Sequence, residues 1–553
     1  MTGVSIDDGK TPINNYYDVN LGGRLGGAII KNKLFFFANY EFASRNEPIL
    51  NVPGTSGSNI PRSVVDQVTN HLVNNYGYDP GTADATNIEQ TSHKIFARFD
   101  WNIAKNHQLT LRDNLVFAYA DRLERGSSIF KYGSQSYRHN SRNNSLVAEL
   151  KSSFENNIFN HLTVGWNNMS DNRTFDGSIF PHIEIGYNTS NTIFIGPYRE
   201  ASIYAVNVNS FQITDNVTIH RKKHKITIGT NNDFYNIHYC FLTAWNGRWE
   251  YNTVDNFLND IPSRIRGVYN YGNNDYEFNL AEPSAEFGLA LLSLYVQDRF
   301  RLNDRFSITA GIRLSMQVNL NPAPVNEQVK QSPEFSEYTN QYGGVPQFNP
   351  RLAFNWIVDE SQRFQIRGGT GIYSGRIPFA WYAYSYYISG NDYGNIDLRP
   401  SGATVPLTDN LSDLRSQQPN LTEINLVKDN FKLPSVSRSS LAFDIKLPER
   451  IFLTVEGMFS KTITSIVFKS LNLKDSTAQY AGADDRTYYL GSSQDRKINP
   501  NFTNVFGLGN TDKGYQYSVT LTATKKIGSV FSAFAAYTFG ESKDLVNLSL
   551  IHI

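Results

Sequence analysis

Two aromatic runs are the densest groups in this sequence that could recognise another molecule. The larger comprises Trp381, Tyr382, Tyr384, Tyr386 and Tyr387, and the smaller is built on Trp245 and Trp249. Both lie between stretches of regular alternation, in segments that read as loops, where ring faces could stack on a sugar or clamp a peptide. Reactive chemistry is not visible. The ten His residues show no His-Glu-x-x-His spacing, and no Gly-x-Ser-x-Gly elbow occurs. The glycine-rich run Gly368–Gly375 has no Lys-Ser/Thr ending, and Ser374 stands where a dinucleotide fingerprint wants glycine. Glycine inside a strand more often marks a bend or a close approach. The single cysteine, Cys240, cannot form an internal disulfide and has no paired His/Cys pattern that would hold a metal. The residues therefore point to binding without catalysis, with no cofactor and no metal.

Composition narrows the partners. Lys plus Arg number 51 and Asp plus Glu number 51, so the net charge of zero makes no electrostatic case for nucleic acid. Hydrophobic residues are 40% of the chain and the mean hydropathy is −0.41. No window approaches the ~20 apolar residues of a membrane helix. Aromatics reach 13%, with 36 Phe and 32 Tyr.

The elements that must carry the aromatic runs are strands. In the hairpin Leu289–Met316, the second arm places Phe306, Ile308, Ala310, Ile312, Leu314 and Met316 on one face, with Ser307, Thr309, Gly311, Arg313 and Ser315 on the other. A period of two is the signature of a strand. Roughly 9–11 residues of alternation suffice for a tilted strand to cross a bilayer, whereas strands of globular proteins run to about 5–6.

The same unit recurs along the chain. Short turns are expected at Lys31–Lys33, Lys105–Asn106, Glu155–Asn157, Arg221–His224, Leu302–Asp304, Asp359–Ser361, Pro448–Arg450 and Lys525–Ser529. Between them lie long polar connections, about Ala43–Ser92, Met169–Ala205, Cys240–Pro283, Asn321–Asn349 and Ser374–Arg438 among them. Strict alternation of short and long connections is foreign to a soluble antiparallel sheet, where loops above ~12–15 residues are uncommon. A barrel in the outer membrane has short periplasmic turns and long extracellular loops by construction. The fold expected is thus all-β, an antiparallel transmembrane β-barrel of roughly sixteen strands in eight hairpins. In that frame the aromatic runs have a second reading, as interfacial girdle continuing from the strand tops. Arg24, Glu41, Arg313 and Glu456 fall on the lumenal face, either to guide a ligand or hold a plug or simply as solvated wall residues.

The opening hairpin, Asn20-Leu-Gly-Gly-Arg-Leu-Gly-Gly-Ala-Ile-Ile-Lys-Asn-Lys-Leu-Phe-Phe-Phe37, resembles the early barrel of TonB-dependent outer-membrane receptors. It is most similar to the Oar-like branch, whose members carry an N-terminal carboxypeptidase-regulatory-like domain. Tyr295-Val-Gln-Asp-Arg-Phe300 with Gly311-Ile-Arg313, Phe348-Asn-Pro-Arg351 and Arg367–Phe379 match in the family's order. The resemblance implies a barrel of about 22 strands in the parent, incomplete here at both ends, with the plug, the TonB box and the regulatory domain upstream. It implies energy-coupled uptake of a bulky extracellular ligand, with outer-membrane lipid and TonB as partners and the outer membrane of a Gram-negative bacterium as location. The loop aromatics point to peptide or glycan as the class of that ligand. Residues 1–547 are then partial barrel wall. Residues 548–553 read as the translation of a sequencing-library transposon end, and Met1–Lys10 carries no signal peptide. A passive porin or adhesion barrel, and a soluble carbohydrate-binding β-sandwich, are the alternatives.

Overall fold

The computed structural model describes residues 16–545, apart from 244, 271–283, 392, 409–410, 412–413, 415–422, 477, 483–485 and 494. The expectations for Met1–Lys10 and for residues 548–553 lie outside the described residues. Sixteen long strands form one antiparallel meander: β1 (Tyr17–Ile30), β2 (Leu34–Ile49), β3 (Thr86–Ala104), β4 (His107–Arg122), β5 (Tyr137–Phe154), β6 (Ile158–Thr174), β7 (Tyr204–Arg221) and β8 (His224–Phe241). The second half comprises β9 (Ser284–Arg301), β10 (Phe306–Asn319), β11 (Gln347–Ile357), β12 (Phe364–Ser374), β13 (Ser435–Leu447), β14 (Ile451–Ser470), β15 (Gly514–Ile527) and β16 (Phe531–Asp544). Each pairs with its neighbour in sequence, from β1–β2 to β15–β16. Among the described residues no ladder joins β1 to β16.

The short connections are tight because residues that tolerate a left-handed backbone sit in them. Asn32, Asn156, Asn157, Lys222, Glu449 and Gly528 have positive φ at the expected turns, and Gln362 does so one residue beyond the expected Asp359–Ser361. Asn adopts this region at low cost and glycine at none. The strands run from 11 to 20 residues, longer than the ~9–11 a membrane crossing needs.

The wall turns its apolar side chains away from its interior. Leu25, Leu294, Phe348 and Leu352 are each half or more exposed, and Ile312, Phe443, Val519 and Leu521 are nearly so. On the opposite face register brings polar groups together, Thr227 against Gln297, Ser307 against Asn355 and Glu456 against Thr520. The buried apolar clusters lie at the mouth and in the long connections, and among the described residues no second protein layer covers the outward band. A belt of this extent, far beyond the few hundred Å² a soluble surface exposes, is stable only against lipid.

The long connections, expected as plain loops, build further structure. Six short strands, in the order Tyr393–Leu398, Arg264–Asn270, Arg248–Tyr251, His182–Tyr187, Asn191–Ile195 and Ile129–Lys131, make a second sheet from four different connections. Helices α1 (Arg62–Tyr76) and α2 (Val254–Leu258) share its core. Val65, Val68 and Leu72 put one apolar stripe of α1 into that core, and Gly77 closes the helix at φ 62°. A short helix α3 (Glu327–Lys330) lies in the connection after β10, and α4 (Ala380–Tyr387) in the one after β12. Two more strands, Glu423–Val427 and Asn504–Thr511, extend the wall above β14.

Candidate functional site

The rim that carries the long connections is where the wall changes character. In the lower part of β8 and β9 the lumenal positions are Lys225, Thr227, Asn231 and Asp233, opposite Arg299, Gln297 and Leu291. Higher up the same face carries Tyr235, Ile237 and Tyr239 beside Leu289, Phe287 and Ala285. Ile237, Phe287 and Leu289 are buried, because α4 is laid across them. Tyr386 stacks on Phe287 with centroids 4.8 Å apart, and Tyr382 stacks on Tyr342 at 4.6 Å. The hydroxyls are satisfied. Tyr387 donates to the Phe241 carbonyl at 2.8 Å, Tyr386 to the Asn321 carbonyl at 2.7 Å, and Tyr382 accepts from Gln317 at 3.1 Å. Burial pushes the Tyr384 and Tyr386 hydroxyls above the usual tyrosine range, so the cluster stays neutral.

The larger aromatic run is therefore a helix that roofs part of the lumen, and it forms no lipid-facing girdle. Tyr382 and Tyr387 are fully buried, and Trp381, Tyr384 and Tyr386 keep part of their surface. Trp245 joins the same buried cluster, whereas Trp249 enters the core of the second sheet. The two tryptophans, four positions apart in sequence, thus serve different cores, and the structure does not bring them together. No ring face of Tyr382, Tyr387 or Trp249 is open to a ligand in this arrangement.

The lumenal candidates sit where register puts them. Arg24 opposes Asn39 on the face that carries Glu41, and Glu41 is ion-paired with Lys94 at 2.5 Å. Glu456 lies 3.7 Å from Arg367, whose guanidinium also donates to Asp444 at 2.9 Å. Arg313 donates to Asn231 at 3.1 Å and to Ser315 at 3.2 Å. It lines a recess of about 240 Å³ with Asp233, Arg351 and Arg376.

Sequence reasoning missed the charged ladder on the second sheet. Glu184 accepts from Arg248 at 2.7 Å and lies 3.1 Å from His182. Burial alone would raise this carboxyl, but hydrogen bonds and charge from His182 and Arg248 bring it down to about 2. Arg264 and Asp397 form a bidentate pair at 2.7 Å, and Arg266 pairs with Glu250. The available signal was the alternation in His182–Tyr187, too short to separate from loop without its partners.

The sequence from residue 45 to 549 matches a family model described as an outer membrane beta barrel domain. The chain belongs to the outer-membrane β-barrel domain family. Its location is accordingly the outer membrane of a Gram-negative bacterium, with the apolar belt in lipid. Solved structures share the architecture. The outer membrane transporter YddB from Escherichia coli superposes with a TM-score of 0.56 at 9% identity, covering 97% of this chain and 56% of that chain. A point mutant of the ferric enterobactin receptor PfeA from Pseudomonas aeruginosa gives 0.51 at 8% identity, covering 95% and 59%. At such identity the likeness is one of fold. This barrel domain thus spans less than two thirds of the length of those two proteins. No curated protein matches the sequence.

Proposed function

We propose that this barrel domain is wall and mouth of a TonB-coupled receptor of the Oar-like branch, which takes a bulky extracellular ligand and passes it inward without altering it covalently. The observation that carries the reading is the mouth itself. Connections from both halves of the wall fold into a second sheet with its own core, and α4 narrows the lumen beneath it. A passive pore needs an open lumen, whereas a receptor needs a shaped, rigid vestibule over a controllable path. The resemblance of Asn20–Phe37 and of Arg367–Phe379 to TonB-dependent receptors supports the energy coupling, and the likeness in fold to an outer membrane transporter and a ferric enterobactin receptor supports the transport reading. The part-exposed rings of Trp381, Tyr384 and Tyr386 are the aromatic surface offered to a ligand from within this mouth.

The test is uptake by cells that carry the protein, with and without TonB. Growth on, or accumulation of, labelled peptide and glycan pools should depend on TonB. Uptake that persists without TonB and scales with solute size would identify a passive pore instead.

A further inference from the structure

Charge on the lumenal face is distributed unevenly. From β2 to β5 and from β12 to β14 the lumenal carboxylates are matched to cations: Glu41 with Lys94, Asp100 with Arg98, Glu149 with Arg112, Asp444 with Arg367. On β13, Arg438 and Lys446 add positive charge that no carboxylate among the described residues matches. Between them, β8 to β11 carry Lys225, Arg299, Arg313 and Arg351 on the same face. Asp233, buried, is committed to Arg376, which also donates to the Tyr235 hydroxyl at 2.6 Å. Among the described residues no carboxylate is ion-paired with any of those four cations.

Two of the four are held in fixed poses by glycine. Gly229 stands opposite Tyr295 in the ladder, and a Cβ there would fall 2.6 Å from the Tyr295 ring. The bare backbone lets that ring lie across the strand, anchored by its hydroxyl to Asn216 at 2.6 Å. The Arg313 guanidinium rests over it, 5.4 Å from the centroid. On the next ladders Gly371 opposes Arg351, and a Cβ would come 3.0 Å from the Arg351 Cγ. Arg351 there lies over Tyr373 at 4.6 Å. Stacking on rings orients a guanidinium plane without consuming its charge, so the N–H groups of Arg351, and those of Arg313 not given to Asn231 and Ser315, remain for an acceptor. Both groups face the recess of about 240 Å³ that Arg376 and Asp233 close from the mouth side. A second recess of about 350 Å³ carries Lys225 and Arg299 further down the same wall.

We propose that Arg313 and Arg351 form a binding site for an oxyanion, and that Arg299 and Lys225 continue it as a cationic track toward the short-turn rim. The recess is smaller than the ~300–1,000 Å³ that encloses a whole small ligand. It accepts one carboxylate or phosphate group, presented by a larger ligand that enters through the mouth. The proposal rests on the receptor reading for its biological use, but not for its chemistry, which binding alone can test.

Calorimetry on the full chain in detergent, with heat-modifiable gel migration as the folding control, uses three probes: inorganic phosphate, a short peptide with a free C-terminal carboxylate, and the same peptide amidated. Saturable binding of phosphate or of the free acid, weakened ten-fold or more by Arg313→Gln and by Arg351→Gln, is the expected result. Whichever of the two binds more tightly assigns the source of the anion. Arg→Lys at either position should recover part of the affinity, since charge returns without the fork. Gly371→Ala should weaken binding by displacing Arg351. Arg112→Gln, in the paired sector, should leave it unchanged. Saturable binding of the amidated peptide as tight as that of the best anionic probe, equal affinity in the glutamine variants, or no saturable binding of phosphate or the free acid to the wild-type chain at millimolar concentration would each overturn the site. Failure of TonB-dependent uptake with this binding intact would count against the receptor reading alone.

Discussion

The lower and upper halves of β8 and β9 are built on one alternation yet have opposite interiors. Below, the lumenal face carries Lys225, Thr227, Gln297 and Arg299 and meets solvent. Above, the same face carries Ile237, Phe287 and Leu289 and meets α4. Backbone geometry assigns side chains to faces, but the element that covers a face decides which chemistry is stable there. In the wall that element is water on one side and hydrocarbon on the other. At the mouth it is protein on the lumenal side, and polarity follows.

The largest expected effect probes the covered half. Phe287→Ala should cost about 3–5 kcal/mol in denaturant unfolding from detergent or lipid, as for other buried aromatic truncations, whereas Gln297→Ala, lumenal and exposed, should stay within about 0.5 kcal/mol. Equal costs would erase the distinction between the halves. Next is the outward face. Leu294→Arg should destabilise by about 2–4 kcal/mol in bilayers, and Gln297→Arg on the lumenal face far less. If both are tolerated alike, the band at Leu294 does not meet lipid.

A smaller effect sharpens the contrast between wall and second sheet. The Glu184 carboxyl, lowered to about 2 in the folded state, has an unfolded value near 4.3. Because the folded value is the lower, its stabilisation is complete above about pH 4–5 and is lost as pH falls toward 2. Trp249 lies on the paired strand, so its fluorescence should shift on acidification in that window, before the wall strands lose their signature in circular dichroism. Glu184→Gln should cost about 1–3 kcal/mol at neutral pH and flatten this acid response. The smallest effect is expected where lumenal charges are exposed and paired. A double-mutant cycle on Glu41 and Lys94 should return a coupling of about 0–1 kcal/mol. A coupling of several kcal/mol would mean that this sector is dry, unlike the polar recesses beside β9.

Much of the wall was legible without coordinates. The eight short turns fall where Lys31–Lys33, Glu155–Asn157 and the others were expected, and the alternation in β10 placed Arg313 on the inner face. Both are local properties: two-residue periodicity and left-handed turn residues are carried by neighbours in sequence. The mouth was less legible. Val65, Val68 and Leu72 carry helical spacing that can be read in retrospect, but the six short strands of the second sheet are drawn from four connections, and none is stable or recognisable alone.

By itself, then, the sequence determined the strands, their turns, their faces and the polar or apolar character of each face, because those follow from pleat geometry over a few residues. Only the tertiary structure decided that the rings after β12 cover the lumen and do not face lipid, that Trp245 and Trp249 part into separate cores, and that Arg313 and Arg351, each stacked on a tyrosine, meet at one recess. Those outcomes depend on segments tens to hundreds of residues apart meeting at one rim, and no local period encodes such a meeting.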